Sequence, residues 1–181
     1  MPGRCLVLGS ALCLHNDVEA ALDLSEFDGV VAAKRAGVVW AGELDAWVTL
    51  HPERMHKEAH ARAERGYPNA KRIYSHITRG PKEVTHQMNY KFAAQRTSGS
   101  SGLFAVKVAL LELGYNRIVL CGIPMDKTYG RIDDRSPVWT GAEAFKPAFL
   151  DVLEELRPYV RSMSGWTAQQ FGLPTREWLA S

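Results

Sequence analysis

The 181-residue sequence has only three cysteines, a formal net charge of +2 and no long hydrophobic run. Its longest apolar stretches are residues 5–8 and 103–113, and the second is interrupted by Lys107 and Glu112. A membrane-spanning helix needs roughly 20 apolar residues, so we expect none, and the N-terminal apolar run is too short for a signal peptide. The nearly balanced charge excludes a general affinity for nucleic acid or acidic membranes, although it allows a local basic patch.

The few cysteines also indicate the compartment. Cys5, Cys13 and Cys121 are odd in number and lie at spacings that fit no metal site, which argues against a disulfide framework. Cys5 and Cys121 fall within strand-like runs and are predicted to be buried thiols. We therefore expect a protein of the reducing cytoplasm.

Short apolar runs alternate with helix-like stretches along the chain. Strands are predicted at residues 5–8, 29–33, 46–50, 71–75, 117–121 and 160–163. Helices are predicted at residues 17–24, capped by Asn16 or Asp17, and at 53–65, 100–114 and 143–156, with two short helical turns after them. This alternation is typical of a mostly parallel sheet with helices on both faces. We therefore expect one α/β, Rossmann-like, nucleotide-binding domain over residues 1–181.

The candidate site follows from this fold, because ligands of open parallel sheets bind beyond the carboxyl ends of the strands. The residues that follow the predicted strands there are Gly9, Ser10, Lys34, His51, His76 and Gly122. The loop after Gly122 adds Asp126 and Tyr129. A single crevice is therefore expected to hold glycines, a cation, histidines and acids. For His51 the alternative is a cap of the next helix.

A run of small residues at 97–102, Thr-Ser-Gly-Ser-Ser-Gly, leads into the predicted helix 100–114. Small residues let a ligand approach the backbone, and the unpaired N–H groups of a first helical turn favour an anion. Ser100, Ser101 and Gly102 are therefore predicted to hold a phosphate, and the alternative is an ordinary helix that Ser100 or Ser101 caps. The P-loop pattern and, at the first turn, Gly-x-Gly-x-x-Gly are both missing, which disfavours a P-loop NTPase and a standard dinucleotide fold.

Two groups of side chains are candidates for binding a metal ion. His56 and His60 are four residues apart on one helix face, which indicates either a solvated surface or a zinc site. The loop acids Asp126, Asp133 and Asp134 either bind Mg²⁺ beside a phosphate or are solvated. The sequence therefore establishes no cofactor and leaves Mg²⁺ open.

Residues 100–105 (Ser-Ser-Gly-Leu-Phe-Ala) and 113–123 (Leu-Gly-Tyr-Asn-Arg-Ile-Val-Leu-Cys-Gly-Ile) resemble a signature that two groups of proteins share. One group is the bacterial sialyltransferases that use CMP-activated sugars, and the other is the archaeal 6-hydroxymethylpterin pyrophosphokinase-like family. Both have a small-hydroxyl-Gly helix start, a Leu-Gly-Tyr helix end and a strand that ends in a Gly-Ile/Val-Asp turn. The chain also looks like short uncharacterised bacterial and phage proteins.

The resemblance implies a modified Rossmann sheet that binds a nucleotide. By matched position, the resemblance implies that Gly9 and Ser10 lie near phosphate or ribose, and that Gly122 closely approaches the base or ribose. It implies that Lys34 and His51 contact the nucleotide in place of the family's asparagines. The phosphate contacts that it implies come from Ser100, Ser101, Gly102 and Tyr129. The sequence departs from the pattern in three places. Residues 9–12 replace the family's Gly-x-Gly-Pro-Ser, Pro124 stands where the aspartate is usual, and residues 136–141 lack the sialyltransferase histidine.

Two functions of different classes follow. The first is a transferase acting on a nucleotide-activated donor, with glycosyl transfer slightly ahead of pyrophosphoryl or nucleotidyl transfer. In it, the helix start and a cation such as Lys34 or Arg96 stabilise the leaving phosphate, and His51, His76 or Asp126 deprotonates the acceptor. The alternative is a non-catalytic nucleotide- or nucleic-acid-binding protein of phage origin, which would use the basic segment from Arg79 to Arg96. The sequence leaves an oligomer open.

Overall fold

The computed structural model describes residues 3–77, 82–132 and 138–181. Within them, seven strands form one sheet in the order β5-β4-β3-β2-β1-β6-β7, and each neighbouring pair is parallel. The strands are β1 (Arg4–Leu8), β2 (Gly29–Ala33), β3 (Ala46–Thr49), β4 (Ile73–Ser75), β5 (His86–Gln87), β6 (Arg117–Cys121) and β7 (Val160–Ser162). Valine, isoleucine and leucine fill the central strands, as expected of strands that are covered on both faces.

The helices of the described residues lie on both faces of this sheet. They are α1 (Leu14–Leu22), α2 (Ala36–Val39), α3 (Met55–Glu64), α4 (Ser101–Lys107), α5 (Lys146–Asp151), α6 (Leu153–Leu156), α7 (Gly165–Phe171) and α8 (Arg176–Ala180). One core cluster joins the sheet to α4, α5, α6 and α7, and the other joins it to α1, α2, α3 and α8. The α/β, Rossmann-like fold class predicted from the sequence is therefore confirmed.

The order of the strands places a switch point between β1 and β6. The chain moves outward from β1 to β5, and α4 then brings it back to β6 on the other side of β1. Crossovers of opposite direction leave a crevice at the carboxyl ends of the two strands where the direction changes, and ligands of such sheets bind there. The fold therefore predicts a ligand site at the same end of the sheet as the residues that follow the strands.

The helix that makes this return crossover is buried on every side. Every residue of α4 is buried, including Lys107, so its apolar side chains face the sheet and the outer helices alike. It continues as a π-helix at Val108–Glu112, where Leu113 N–H donates to Val108 O at 3.0 Å. The sequence predicted one regular helix, and this wider final turn differs from it.

Other element boundaries also differ from the expectations. The first helix begins at Leu14, so Asp17 is an interior residue and not its cap. The late helix predicted at 143–156 is a 3₁₀-helix at Thr140–Phe145 followed by α5 and α6, because Val152 leaves helical geometry (φ −118°, ψ 10°). The two-residue strand β5 is exposed and polar, so it has no hydrophobic pattern from which a strand could be predicted.

The structure tests the expected burial of two cysteines and the expected absence of a membrane-spanning helix. The thiols of Cys5 and Cys121 are buried, as predicted, and burial raises the pKa of both. In the part of the chain that the structure describes, no helix has the length and apolar character to cross a membrane.

A buried arginine joins α3 to the segment after α2. Arg62 is 1% exposed, and its guanidinium donates hydrogen bonds to four backbone carbonyls: Gly37 O at 2.6 Å, Trp40 O at 2.5 Å, Gly42 O at 2.7 Å and Pro68 O at 2.6 Å. Carbonyl oxygens left over at a helix end need such donors. Arg62 therefore fixes two irregular segments against one helix.

Candidate functional site

A cleft of about 340 Å³ opens at the carboxyl ends of the strands. Nine of the eleven residues predicted for the site line it, namely Gly9, Ser10, Lys34, His51, His76, Ser100, Ser101, Gly102 and Gly122. Arg131, Trp139, Phe145, Tyr90 and Met125 are among the further lining residues. Segments that are distant in sequence therefore meet in one crevice, as the parallel sheet predicts.

The floor of the cleft is the contact between the ends of β1 and β6. A Cβ on Gly9 would lie 2.3 Å from Gly122 O, and a Cβ on Gly122, whose φ is +68°, would lie 2.6 Å from Gly9 O. The space that a side chain would need at either glycine is therefore taken by the other strand's backbone. Both residues line the cleft, but close packing of the chain already accounts for the glycines.

A buried carboxylate that the sequence analysis considered only as a helix cap holds this floor. Asp17 of α1 is buried, and its Oδ2 accepts hydrogen bonds from Gly122 N–H at 2.8 Å and from the Ser164 hydroxyl at 2.8 Å. Ser164 also lies 3.3 Å from Cys13 Sγ, and burial raises the pKa of that thiol to about 12. Asp17 therefore ties α1, the turn after β6 and the start of α7 together beneath the cleft.

The N-terminus of α4 forms one wall. Ser100 is the cap, since its Oγ accepts from Leu103 N–H at 3.2 Å, which resolves the choice between Ser100 and Ser101. Ser101 Oγ instead accepts from Leu50 N–H at 3.3 Å and joins the helix to the end of β3. Within the described part of the chain, the backbone N–H groups of Ser101 and Gly102 are the orphan donors of the first turn. They are groups of the kind that bind anions.

His51 and Lys34 lie next to this wall. Burial and the neighbouring Lys34 ammonium together lower the pKa of the His51 imidazole from its ordinary value, while Glu53 opposes them. Glu53 Oε1 lies 3.2 Å from His51 Nδ1. If that nitrogen carries the proton, Nε2 keeps its lone pair, which is the arrangement of a general base held by a carboxylate. The sequence analysis missed Glu53, and the spacing His-Pro-Glu was the available signal.

Two cleft residues have unusual backbone geometry. Among the described residues, Lys34 (φ 48°) and Met125 (φ 45°) are the non-glycine residues with positive φ, and both line the cleft. The carbonyl of Lys34 accepts from Trp47 Nε1 at 2.7 Å, which helps to hold this conformation. Left-handed backbone at such residues costs free energy and concentrates at functional sites.

The opposite wall is basic and aromatic. The loop after β1 pairs with residue 131 through an antiparallel bridge between Ala11 and Arg131. The Arg131 guanidinium lies 5.8 Å from the centre of the Trp139 ring, and Trp139 packs on Phe145 with ring centres 5.9 Å apart. At the other end, His76 meets Tyr90 edge-on at 5.8 Å.

His76 has an unusual nitrogen for a cleft residue. Its Nδ1 is buried and has no hydrogen-bond partner within the described ranges. A buried polar atom without a partner costs free energy.

Two predicted residues are outside the lining of this cleft. Asp126 and Tyr129 lie on the loop that follows Met125, and Asp126 Oδ1 accepts from Thr128 N–H and from its hydroxyl, each at 2.9 Å. These hydrogen bonds lower the pKa of the Asp126 carboxyl. The roles given to Asp126 and Tyr129 therefore stay predictions.

The structure bears on the metal hypotheses only in part. Asp133 and Asp134 lie outside the described residues, and within those residues no group of three or more His, Cys, Asp or Glu is arranged to hold a metal ion. His56 Nδ1 lies 2.9 Å from Glu83 Oε1, and His60 Nε2 lies 3.2 Å from Glu64 Oε1. Such contacts are typical of a solvated helix face.

The basic segment proposed for nucleic acid is also only partly described. Arg79 lies outside the described residues, and Arg96 is paired with Asp151 at 3.2 Å. That pairing neutralises one charge of the segment. The described part therefore does not favour the nucleic-acid alternative.

The fold is shared with bacterial sialyltransferases of known structure. The chain is similar to the sialyltransferase CstII from Campylobacter jejuni in complex with cytidine-5′-monophosphate, with a TM-score of 0.65, 13% identity and coverage of 96% of this chain and 86% of that chain. For the complex with CMP-3FNeuAc the TM-score is 0.64 at 13% identity, covering 97% and 88%. For the apo form of an α-2,3-sialyltransferase from the same organism it is 0.58 at 14% identity, covering 97% and 81%.

At this level of identity the likeness shows the fold alone. No protein-family model matches the sequence, and no curated protein matches it. The sialyltransferase half of the sequence resemblance is therefore confirmed for the fold. The resemblance to the pterin pyrophosphokinase-like family and to phage proteins stays a prediction.

Proposed function

We propose that this protein is a glycosyltransferase that binds a nucleotide-activated sugar in the cleft. The observation that carries the proposal is the convergence of the strand-end residues on one crevice at the switch point of the sheet, beside the N-terminus of α4. The solved neighbours of this fold include complexes with CMP and CMP-3FNeuAc, which supports a ligand of the same class.

The proposed reaction is a displacement at the anomeric carbon of the donor sugar. The acceptor hydroxyl attacks that carbon, the bond between the carbon and the phosphate oxygen breaks, and the hydroxyl proton passes to the free nitrogen of His51. The charge that develops on the departing phosphate is received by the backbone N–H groups of Ser101 and Gly102 and by Lys34. Glu53 holds the imidazole and stabilises it once it is protonated.

The remaining predicted residues take binding roles in this proposal. His76 lies beside the ligand next to Tyr90, and Gly9, Ser10 and Gly122 form the floor beneath it. We favour His51 over Asp126 as the base, because His51 lines the cleft and Asp126 is engaged with Thr128.

Thermal-shift measurements with CMP, UDP, GDP and ATP, each with and without Mg²⁺, test the binding step. A nucleotide present at roughly a hundred times its Kd is expected to raise the Tm by about 5–10 °C through mass action. The absence of any shift across this series contradicts the proposal. Release of free CMP from a CMP-activated sugar, with the sugar recovered on an acceptor hydroxyl, then identifies a transferase. Salt-dependent binding of oligonucleotides without turnover identifies the alternative.

The titration of His51 gives a second prediction. Its pKa is expected below the ordinary value of 6.5, because burial and Lys34 disfavour the imidazolium. Since the folded pKa is lowered, the unfolded chain takes up the proton first, and His51 costs stability as pH falls through 6.5. NMR titration of the His51 ring is expected to show a higher pKa in Lys34→Met and a lower one in Glu53→Gln.

His51→Gln is the control that assigns the titrating resonance. Arg54 also acts on His51 and lowers its pKa, so Arg54→Met is expected to change the pKa in the same direction as Lys34→Met but less. If the pKa of His51 does not rise in Lys34→Met, the Lys34 ammonium does not lie close enough to the imidazole to act on it, which would contradict the arrangement of the cleft.

A further inference from the structure

A strap of residues 89–97 leads from β5 to α4 and carries one wall of the cleft. It contains no helix or strand. Its residue Tyr90 lines the cleft, and the Tyr90 ring contacts His76 on one side and Phe104 of α4 on the other, with ring centres 5.8 Å and 6.4 Å apart. The position of Tyr90 therefore sets the surroundings of His76.

A buried lysine of α4 binds this strap on both sides of Tyr90. Lys107 is 8% exposed, and its ammonium donates to Asn89 O at 2.7 Å and to Lys91 O. It also lies 5.7 Å from the centre of the Phe92 ring. A buried ammonium is unstable without partners, and charge-assisted hydrogen bonds are stronger than neutral ones. Lys107 therefore fixes the backbone immediately before and after Tyr90.

The far end of the strap is fixed by a second charged group. Asp151 of α5 accepts from Arg96 N–H at 2.9 Å, from Thr97 N–H at 3.0 Å and from the Thr97 hydroxyl at 3.1 Å. These hydrogen bonds, led by that from the Thr97 backbone, lower the pKa of Asp151 to about 2. The strap is thus attached at both ends, and Lys107 is the attachment next to the cleft.

We propose that Lys107 is a positioning residue of the cleft, which holds Tyr90, and through Tyr90 the imidazole of His76, in the place where they contact the ligand. Lys107 is not among the lining residues, so it acts through the two carbonyls that it binds. The inference rests on the proposed function only for the identity of the ligand. The attachment of the strap is a property of the free protein.

The test compares Lys107→Met with Lys57→Met, the same change at an exposed residue of α3. The first readout is the NMR resonances of the His76 ring in the free protein, which report its edge contact with Tyr90. The second is the Kd for CMP. In Lys107→Met we expect the His76 resonances to move and the Kd to rise about tenfold, because Tyr90 and His76 are no longer held in the place where they contact the ligand.

Lys107→Arg separates positioning from general stability. A guanidinium also donates to two carbonyls, so this variant is expected to restore both the His76 resonances and the Kd to within about threefold. A purely structural lysine would lower the Tm and leave both readouts at their wild-type values, and that result overturns the inference. Equal shifts in Lys57→Met overturn it as well.

Failure of the inference and failure of the proposed function give different results. If wild-type protein does not bind CMP, the proposed ligand is wrong, and the His76 resonances still decide whether Lys107 holds this wall. If Lys107→Met does not fold, Lys107→Gln, which is uncharged and one atom too short to bind both carbonyls as lysine does, is tested by the same two readouts. Unchanged His76 resonances in that variant overturn the inference.

Discussion

Ser101→Asp is expected to abolish nucleotide binding while the protein stays folded. The carboxylate would stand at the first position of α4, beside the two orphan N–H groups that are proposed to receive the phosphate. Two like charges about 4 Å apart repel by roughly 4 kcal/mol near a protein surface, which corresponds to about a thousandfold in Kd. An acidic residue in a first helical turn is favourable for the helix itself, and this offsets part of the cost of a carboxylate at the buried Ser101 position, so the protein is expected to stay folded with a lowered Tm.

The matched control for this charge is Ser101→Asn, which has the same size as the aspartate and no charge. Its amide oxygen is able to accept from Leu50 N–H, as the serine hydroxyl does at 3.3 Å. We expect its Kd for CMP to stay within about tenfold of the wild-type value. Calorimetric titration of both variants measures the difference. Equal affinities for Asp and Asn at this position would remove the argument for an anion site.

Arg62→Met is expected to cause the largest loss of stability. Four backbone carbonyls lose their donor in a place where water does not replace it, and the contact of the guanidinium with the Tyr67 ring is lost as well. Hydrogen bonds from a charged donor contribute roughly 1.5–3 kcal/mol each but are not additive, so we expect about 4 kcal/mol less free energy of unfolding. Urea denaturation measures this change.

Arg65→Met is the control for that experiment, because Arg65 is exposed at the end of the same helix. A surface change of this kind is expected to stay within about 0.5 kcal/mol. Arg62→Lys keeps the charge but has one nitrogen where the guanidinium has three, so its stability is expected to fall between those of the wild type and Arg62→Met. A loss below about 1 kcal/mol in Arg62→Met would show that water or relaxed backbone satisfies these carbonyls.

The sequence predicted what depends on local pattern. Gly9, Lys34, His51 and Gly122 follow short, largely apolar runs, and in a parallel sheet the ends of such runs meet at one edge whatever the connections between them. The cap at Ser100 is local in the same way. These residues could be identified from the neighbouring sequence together with the rule that ligands bind at the carboxyl ends of parallel strands.

Other groups that hold the cleft are distant in the chain from the groups they bind, and their roles were not found. Asp17 binds Gly122 from 105 residues away, and Lys107 binds the Asn89 carbonyl across 18. Nothing in the neighbouring sequence distinguishes such an aspartate or lysine from a solvated one. The strand β5 was missed for another reason, since two exposed polar residues are held by Tyr74 and Ser75 of β4 and not by a core of their own.

The left-handed backbone at Lys34 has a consequence for engineering this protein. Glycine adopts that conformation without the steric cost that lysine bears, so a search for a more heat-resistant variant would be drawn to glycine at this position. The same replacement would take a positive charge from the cleft. Thermal robustness and ligand recognition therefore compete at a single residue, and selection for one alone would erode the other.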